Sequence, residues 1–124
     1  MPWDLKPDRP IYAQLVEELE LRICAGIYPP GSKLDTVRDL AQEAAVNPNT
    51  MQKALARLEE EGLVYTQRTS GRYVTEDVNM INQVKSKLAK EQVEDFLKKM
   101  ENLGYDKKDT LELIKSILEG KENG

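Results

Sequence analysis

The sequence contains no histidine, and Cys24 is its only cysteine. Histidine is the commonest catalytic base and zinc ligand, so its absence excludes histidine-centred catalysis and ordinary zinc sites. A single cysteine excludes a disulfide within the chain. Cys24 lies late in a predicted helix, and we expect it to be a small buried thiol; a redox switch is the alternative.

Long apolar runs are also absent. A membrane-spanning helix needs about 20 apolar residues, and no segment approaches that length. Residues 1–10 are polar and proline-rich, unlike a signal peptide. We therefore expect a soluble, cytoplasmic protein that does not bind a membrane.

An excess of positive charge is absent as well, because the formal net charge is −4. This value argues against a nonspecific, polycation-like DNA-binding protein. A specific one stays possible, since the charge pattern at the reading surface matters there. The length of 124 residues fits one globular unit, or one small domain with an extension.

The segment from Thr36 to Val74 predicts two helices joined by a tight turn, followed by a β-hairpin. Thr36 is expected to cap the first of these helices. Asn47 and Pro48 predict the start of the second helix, because asparagine is a good N-cap and proline fits the first helical position. Gly62 predicts its end.

The second of these helices has an apolar and a polar face. Its apolar side chains recur at helical spacing and predict a core-facing stripe of Met51, Ala54, Leu55 and Leu58. The opposite face carries Asn49, Gln52, Lys53, Ala56 and Arg57. Amides and cations suit base edges and phosphates in a DNA major groove, although a solvated face has the same composition. The acidic run at 59–61 is expected to point away from phosphates.

The hairpin is predicted from strand-forming residues at 63–66 and 72–74, with a turn at 69–71. Arg68 and Arg72 flank that turn. A hairpin of this kind can reach a DNA backbone or minor groove; the alternative is an ordinary hairpin with solvated arginines. A short strand at 33–34 is expected to pair with it.

Helical periodicity predicts a first helix over residues 11–25, preceded by an extended arm. Trp3 lies in this arm, and we expect it to pack on the domain or on a partner subunit.

Two further amphipathic helices are predicted after the hairpin. One spans residues 77–102, and the other is capped by Asp106 or Asp109. Two such helices are not stable alone, so their apolar stripes predict a homodimer. Folding back onto the same chain is the alternative.

In their order along the chain, these segments resemble the GntR family of bacterial transcription regulators. The resemblance covers about residues 9–76. It rests on the connector with the pattern Gly-x-x-x-Pro-Gly-x-x-Leu at 26–34, VRDLA at 37–41, VNPNTMQKAL at 46–55 and LEEEGL at 58–63. The Asn-Pro-Asn-Thr helix start and the short remainder resemble the YtrA subfamily, in which a small helical part replaces a large effector domain.

The resemblance implies a DNA-binding regulator, more often a repressor, and commonly one that controls a nearby transporter operon. It assigns Arg38 to the family's arginine that contacts phosphate and bases. The other candidates are Asn49, Thr50, Gln52 and Lys53 for the major groove, Arg57 for a phosphate, and Arg68, Gly71 and Arg72 for the wing. Gln52 stands where many relatives carry arginine, and the hairpin has one glycine where the family often has two. The DNA sequence that the family binds and the depth that its wing reaches are therefore not carried over to this chain.

The sequence predicts a mainly α fold with a small β-hairpin. A winged helix-turn-helix DNA-binding domain is expected over residues 1–76, and a two-helix dimerisation extension over residues 77–124. The predicted function is sequence-specific regulation of transcription by a homodimer on a palindromic operator in double-stranded DNA. No catalytic residue, metal ligand or cofactor is predicted, an enzyme is not expected, and a small-molecule effector is left open. The alternative is a winged-helix protein-interaction module that does not bind DNA.

Overall fold

The computed structural model describes residues 3–120, and this part of the chain forms five α-helices and one antiparallel β-hairpin. The elements are α1 (Ile11–Cys24), α2 (Val37–Ala44), α3 (Pro48–Glu60), β1 (Val64–Gln67), β2 (Gly71–Val74), α4 (Val78–Asn102) and α5 (Lys107–Leu118). The predicted winged helix-turn-helix and C-terminal helices are thus confirmed. The chain divides into two compact units, residues 1–85 and 86–124, and the boundary lies inside α4.

Local capping fixes the helix pair α2–α3. The Thr36 hydroxyl accepts a hydrogen bond from the backbone N–H of Asp39 at 3.1 Å, and the Asn47 side-chain oxygen accepts one from Asn49 at 2.7 Å. These bonds satisfy N–H groups that have no partner within the helix, so both predicted starts are confirmed. Ala45 turns the chain between the helices in a left-handed conformation, with φ 58°.

The core of the first unit lies where α1, α2 and α3 meet. The predicted stripe of α3 is fully buried, because Met51, Ala54, Leu55 and Leu58 are each 0 % exposed. The other buried apolar side chains of the described residues are Leu15, Leu19, Ile23, Leu34, Leu40, Ala41, Ala44, Leu63, Val64, Val74 and Ile81. Burial of one side of α3 directs its other side outward.

The hairpin packs beside the end of α3. Val64 faces Val74 across the two strands, and the pairing of Gln67 with Gly71 leaves residues 68–70 as the loop. The loop thus begins one residue earlier than the predicted turn, and β1 begins after the buried Leu63 rather than at it. The predicted strand at 33–34 is reduced to one bridge between Lys33 and Tyr73.

One carboxylate joins the hairpin to α3. Glu59 accepts a hydrogen bond from the Thr66 hydroxyl and forms an ion pair with Nε of Arg72 at 2.8 Å. Both interactions favour the ionised carboxylate. The hydrogen bond from Thr66 is the main cause that lowers the pKa of Glu59 below its ordinary value, and Arg72 adds to it.

The N-terminal arm is held on the domain. The Arg22 guanidinium lies over the Trp3 ring, 4.0 Å from its centroid, and the Trp3 indole N–H donates to Glu43 at 3.1 Å. Trp3 thus packs on its own domain, which was one of the two predicted alternatives. The arm is not extended throughout, because residues 7–9 form a turn. Residues 1–2 of the predicted arm lie outside the described part of the chain.

Cys24 ends α1 and is partly buried against the core. Burial raises the pKa of the Cys24 thiol above its ordinary value. A higher pKa lowers the fraction of reactive thiolate, in keeping with a packing role.

The second unit contains the remainder of α4 and α5. The Asp106 side chain accepts from the backbone N–H of Asp109 at 2.8 Å, so Asp106 is the cap of α5. Several apolar side chains of this unit remain exposed in the single chain, by 41–80 %: Val93, Phe96, Leu103, Leu111, Ile117 and Leu118. Among residues 3–120, none of the helices combines the length and the hydropathy that a membrane span requires.

Replacing Leu55 by alanine tests the packing of α3. Leu55 is fully buried, so we expect Leu55→Ala to lower the free energy of unfolding by about 2–5 kcal/mol through lost burial and a residual cavity. The exposed neighbour provides the control: Gln52→Ala should change this free energy by no more than about 0.5 kcal/mol. Urea unfolding followed by circular dichroism measures both. Equal effects would contradict the assigned face of the helix.

Acid should remove the stabilisation that Glu59 provides. Because its pKa is lowered in the folded state, the carboxylate stabilises the fold above its ordinary pKa of 4.5, and this contribution is lost as the pH falls through the lowered value. The difference in unfolding free energy between the wild type and Glu59→Gln should therefore shrink from pH 7 towards pH 3. Glu17→Gln, in the exposed pair with Arg9, controls for removal of a negative charge. A difference that grows with acidification would contradict the ion pair.

Candidate nucleic-acid interface

The outward face of α3 presents side chains that are free to bind a ligand. Asn49, Gln52 and Lys53 lie opposite the buried stripe and are exposed. Within residues 3–120, neither Gln52 nor Lys53 forms a side-chain hydrogen bond or an ion pair. An amide and an ammonium therefore project together from the first two turns of the helix, where they can reach base edges.

Thr50 and Arg57 lie on one flank of this helix. Thr50 is half-buried, whereas Arg57 is exposed and forms an ion pair with Glu60 at 3.3 Å. Both partners of that pair face solvent, where such pairs contribute about 0–1 kcal/mol. Arg57 can therefore exchange Glu60 for a phosphate at little cost.

Arg38 is the second residue of α2 and is exposed. Like that of Gln52, its side chain forms no hydrogen bond or ion pair with another residue of the described chain. It thus offers an unneutralised guanidinium at the N-terminal end of the helix that precedes α3.

The wing carries two arginines in different environments. Arg68 lies in the loop and is exposed, with no charged partner among residues 3–120. Arg72 lies on β2 and is paired with Glu59 of α3, and only 18 % of its side chain is exposed. The alternative of an ordinary hairpin with solvated arginines therefore describes Arg68 but not Arg72, which is paired with Glu59.

Gly71 begins β2 with φ +117°, a conformation that other residues rarely adopt. The Lys33 side chain passes close to it: its Cε lies 3.2 Å from the position where a Cβ of residue 71 would be. Lys33 is exposed, and its bridge with Tyr73 fixes its backbone beside the wing. A cation next to the wing was missed by reasoning from the sequence, although the predicted pairing of residues 33–34 with the hairpin was a signal for it.

The acidic run behaves differently at its first two positions. Glu60 pairs with Arg57 on the exposed side of α3. Glu59 points to the wing, where it binds Thr66 and Arg72. Two of the three carboxylates at 59–61 thus neutralise arginines of the candidate interface, whereas the sequence predicted only that the run points away from phosphates.

Comparison with known proteins agrees with this geometry. The family model for bacterial regulatory proteins of the gntR family matches residues 11–74. The HTH-type transcriptional regulator YhcF of Bacillus subtilis is 38 % identical over 90 % of this chain and 93 % of its own. The HTH-type transcriptional repressor YtrA of the same organism is 34 % identical over 92 % of this chain and 88 % of its own.

Solved structures extend the comparison. A GntR family transcriptional regulator from Listeria monocytogenes superposes with a TM-score of 0.82 and 39 % identity, over 90 % of this chain and 98 % of that one. The DNA-binding domain of AraR, solved in complex with its operator ORX1, matches with a TM-score of 0.52 and 33 % identity, over 58 % of this chain and 88 % of that one.

The family match spans all the elements of the winged helix-turn-helix, and the likeness to YhcF and YtrA extends over nearly the whole chain. The protein belongs to the GntR family of bacterial transcriptional regulators, with YtrA-like relatives.

Proposed function

We propose that the protein is a homodimeric, sequence-specific repressor that binds a palindromic operator in double-stranded DNA. The outward face of α3 supports this proposal most directly, because Gln52 and Lys53 are exposed and have no partner within residues 3–120. The operator complex of the AraR domain supports DNA as the ligand, and the likeness to the transcriptional repressor YtrA supports repression. In this proposal the chain is not an enzyme, and it acts in the cytoplasm.

The proposed contacts follow from position. Gln52 can pair with adenine and Lys53 with guanine in the major groove, and Asn49 and Thr50 lie at the start of α3, where the helix N-terminus favours phosphate. Arg57 is a phosphate contact. Arg38 contacts the DNA from α2, and Arg68, Gly71 and Arg72 do so from the wing, to which we add Lys33.

The dimer is proposed to form through residues 77–124, with residues 1–76 as the DNA-binding domain. Phe96, Leu103 and Ile117 are exposed in the single chain, by 41 %, 72 % and 66 %. Exposing several large apolar side chains on a pair of helices is unfavourable, and a second copy of the chain can cover them. A two-fold dimer also places two recognition helices about one DNA turn apart, as a palindrome requires.

Substitutions at Gln52 and Arg68 should affect DNA binding differently, because Gln52 is proposed to contact bases and Arg68 to contact phosphates. The operator is first selected from a randomised pool of duplexes. Gln52→Ala should weaken binding to that operator by about 1–3 kcal/mol and leave scrambled DNA nearly unchanged, because it removes a base contact. Arg68→Ala should weaken both and lower the slope of log K against log salt by about one, because it removes a phosphate contact.

Gln83→Ala, an exposed glutamine of α4, is the matched control for Gln52→Ala and should change neither affinity. Fluorescence anisotropy across a salt series measures all variants. A wild-type protein that binds no duplex at low salt would favour the protein-interaction module instead. Equal losses on both duplexes for Gln52→Ala would contradict the assigned reading face.

The proposed interface is tested by placing a charge on it in the full chain. Phe96→Glu puts a carboxylate into an apolar contact, so sedimentation equilibrium should show monomers at concentrations where the wild type is dimeric. The affinity for the operator should also fall, because a monomer contacts only one of the two half-sites. Gln92→Glu adds the same group at an exposed polar position of α4 and should stay dimeric. A dimeric Phe96→Glu protein would place the interface elsewhere.

A further inference from the structure

We infer that Glu59 is a positioning residue for Arg72: it holds the arginine ready for the DNA backbone and suppresses its attraction to DNA of any sequence. The inference rests on the proposed function and deepens it, because it separates the roles of the two wing arginines. It starts from the single carboxylate that joins the recognition helix α3 to both strands of the wing.

The contacts of Glu59 fix the orientation of the guanidinium. The same oxygen, Oε1, accepts from Nε of Arg72 at 2.8 Å and from the hydroxyl of Thr66. Thr66 and Arg72 face each other across the hairpin, so the carboxylate bonds to two side chains whose spacing the strand pairing already sets. Arg72 is therefore held by its backbone at one end and by Nε at the other.

The remaining donors of Arg72 are free within the part of the chain that the structure describes. A guanidinium has five N–H groups in a rigid planar fork, and the bond to Glu59 uses the one on Nε. The terminal amino groups, Nη1 and Nη2, have no hydrogen-bond partner within residues 3–120. These are the groups that bind a phosphate through two parallel hydrogen bonds.

Holding the side chain in advance favours a specific complex. A free arginine loses rotamer entropy when it is immobilised, and a side chain that is already ordered loses less on binding. Only a duplex docked in register with α3 can benefit, because Glu59 fixes Arg72 relative to that helix. Arg68 has no such partner within residues 3–120 and can follow a phosphate wherever it lies.

The charge of Glu59 has a second effect. Nonspecific binding depends almost entirely on cations that displace counterions from phosphates. At 2.8 Å from Nε, the carboxylate cancels most of the long-range field of Arg72. The same ion pair therefore favours the complex with the operator and weakens complexes with other DNA, which raises the ratio of operator to scrambled-DNA affinity.

The experiment compares Glu59→Gln, Arg72→Ala and the double variant with the wild type, as full-length proteins, on the selected operator and on scrambled duplex. Glutamine keeps an oxygen that can accept from Thr66 but removes the charge. We expect Glu59→Gln to reduce operator affinity by about tenfold, to leave scrambled-DNA affinity equal or higher, and to steepen the nonspecific salt slope by about one. In the Arg72→Ala background, Glu59→Gln should change the affinity ratio by less than about twofold, because its effect acts through Arg72.

Two control variants separate orientation of Arg72 from simple support of the wing. Thr66→Val removes the other partner of Glu59 and leaves the ion pair, so the affinity ratio should stay within about twofold of the wild type. Glu17→Gln removes one negative charge from the exposed side of α1 and should likewise preserve the ratio. Thermal unfolding of each variant shows whether the protein is folded under the binding conditions.

Three results would overturn the inference. The first is a parallel loss on both duplexes for Glu59→Gln, as expected of a structural support alone. The second is a fall in the ratio for Thr66→Val as large as that for Glu59→Gln. The third is an undiminished effect of Glu59→Gln in the Arg72→Ala background. A wild type without preference for any duplex would instead overturn the proposed function itself, and this outcome is visible before any variant is made.

Discussion

The structure of the first compact unit, residues 1–85, depends on the burial of one side of α3. Met51, Ala54, Leu55 and Leu58 are inaccessible to solvent and pack in the core formed with α1 and α2. Since a helix is rigid, fixing this stripe also fixes the direction in which every other side chain of α3 projects. The exposure of Gln52 and Lys53, and the contact of Glu59 with the wing, both follow from this packing.

Features that are determined locally could be predicted from the sequence. Capping by Thr36 and Asn47 depends on residues within one helical turn, and the stripe of α3 depends on a period that sequence letters display directly. Asp106 caps α5 for the same reason. These short-range rules were sufficient to predict the order of the elements and which face of α3 points outward.

The particular side-chain pairs that tertiary packing creates could not be predicted. Arg72 and Glu59 are 13 residues apart, and the contact exists only because the hairpin folds against the end of α3. Lys33 reaches Gly71 through a bridge whose register no local pattern sets. The sequence correctly placed positive charge at the wing, but which cations are free and which are neutralised is decided by the packing of the hairpin.

The division of α3 into a buried and a free side has a consequence for how such a regulator diverges. Residues that determine the core and residues that face outward alternate along the same helix. The side chains of Gln52 and Lys53 form no hydrogen bond or ion pair within residues 3–120, whereas Met51 and Leu55 are enclosed in the core. Substitutions at exposed positions usually change folding free energy by less than about 0.5 kcal/mol. A duplicated gene can therefore acquire a new recognition face by a few changes at these positions while its scaffold, and the selection that maintains it, stay as they were.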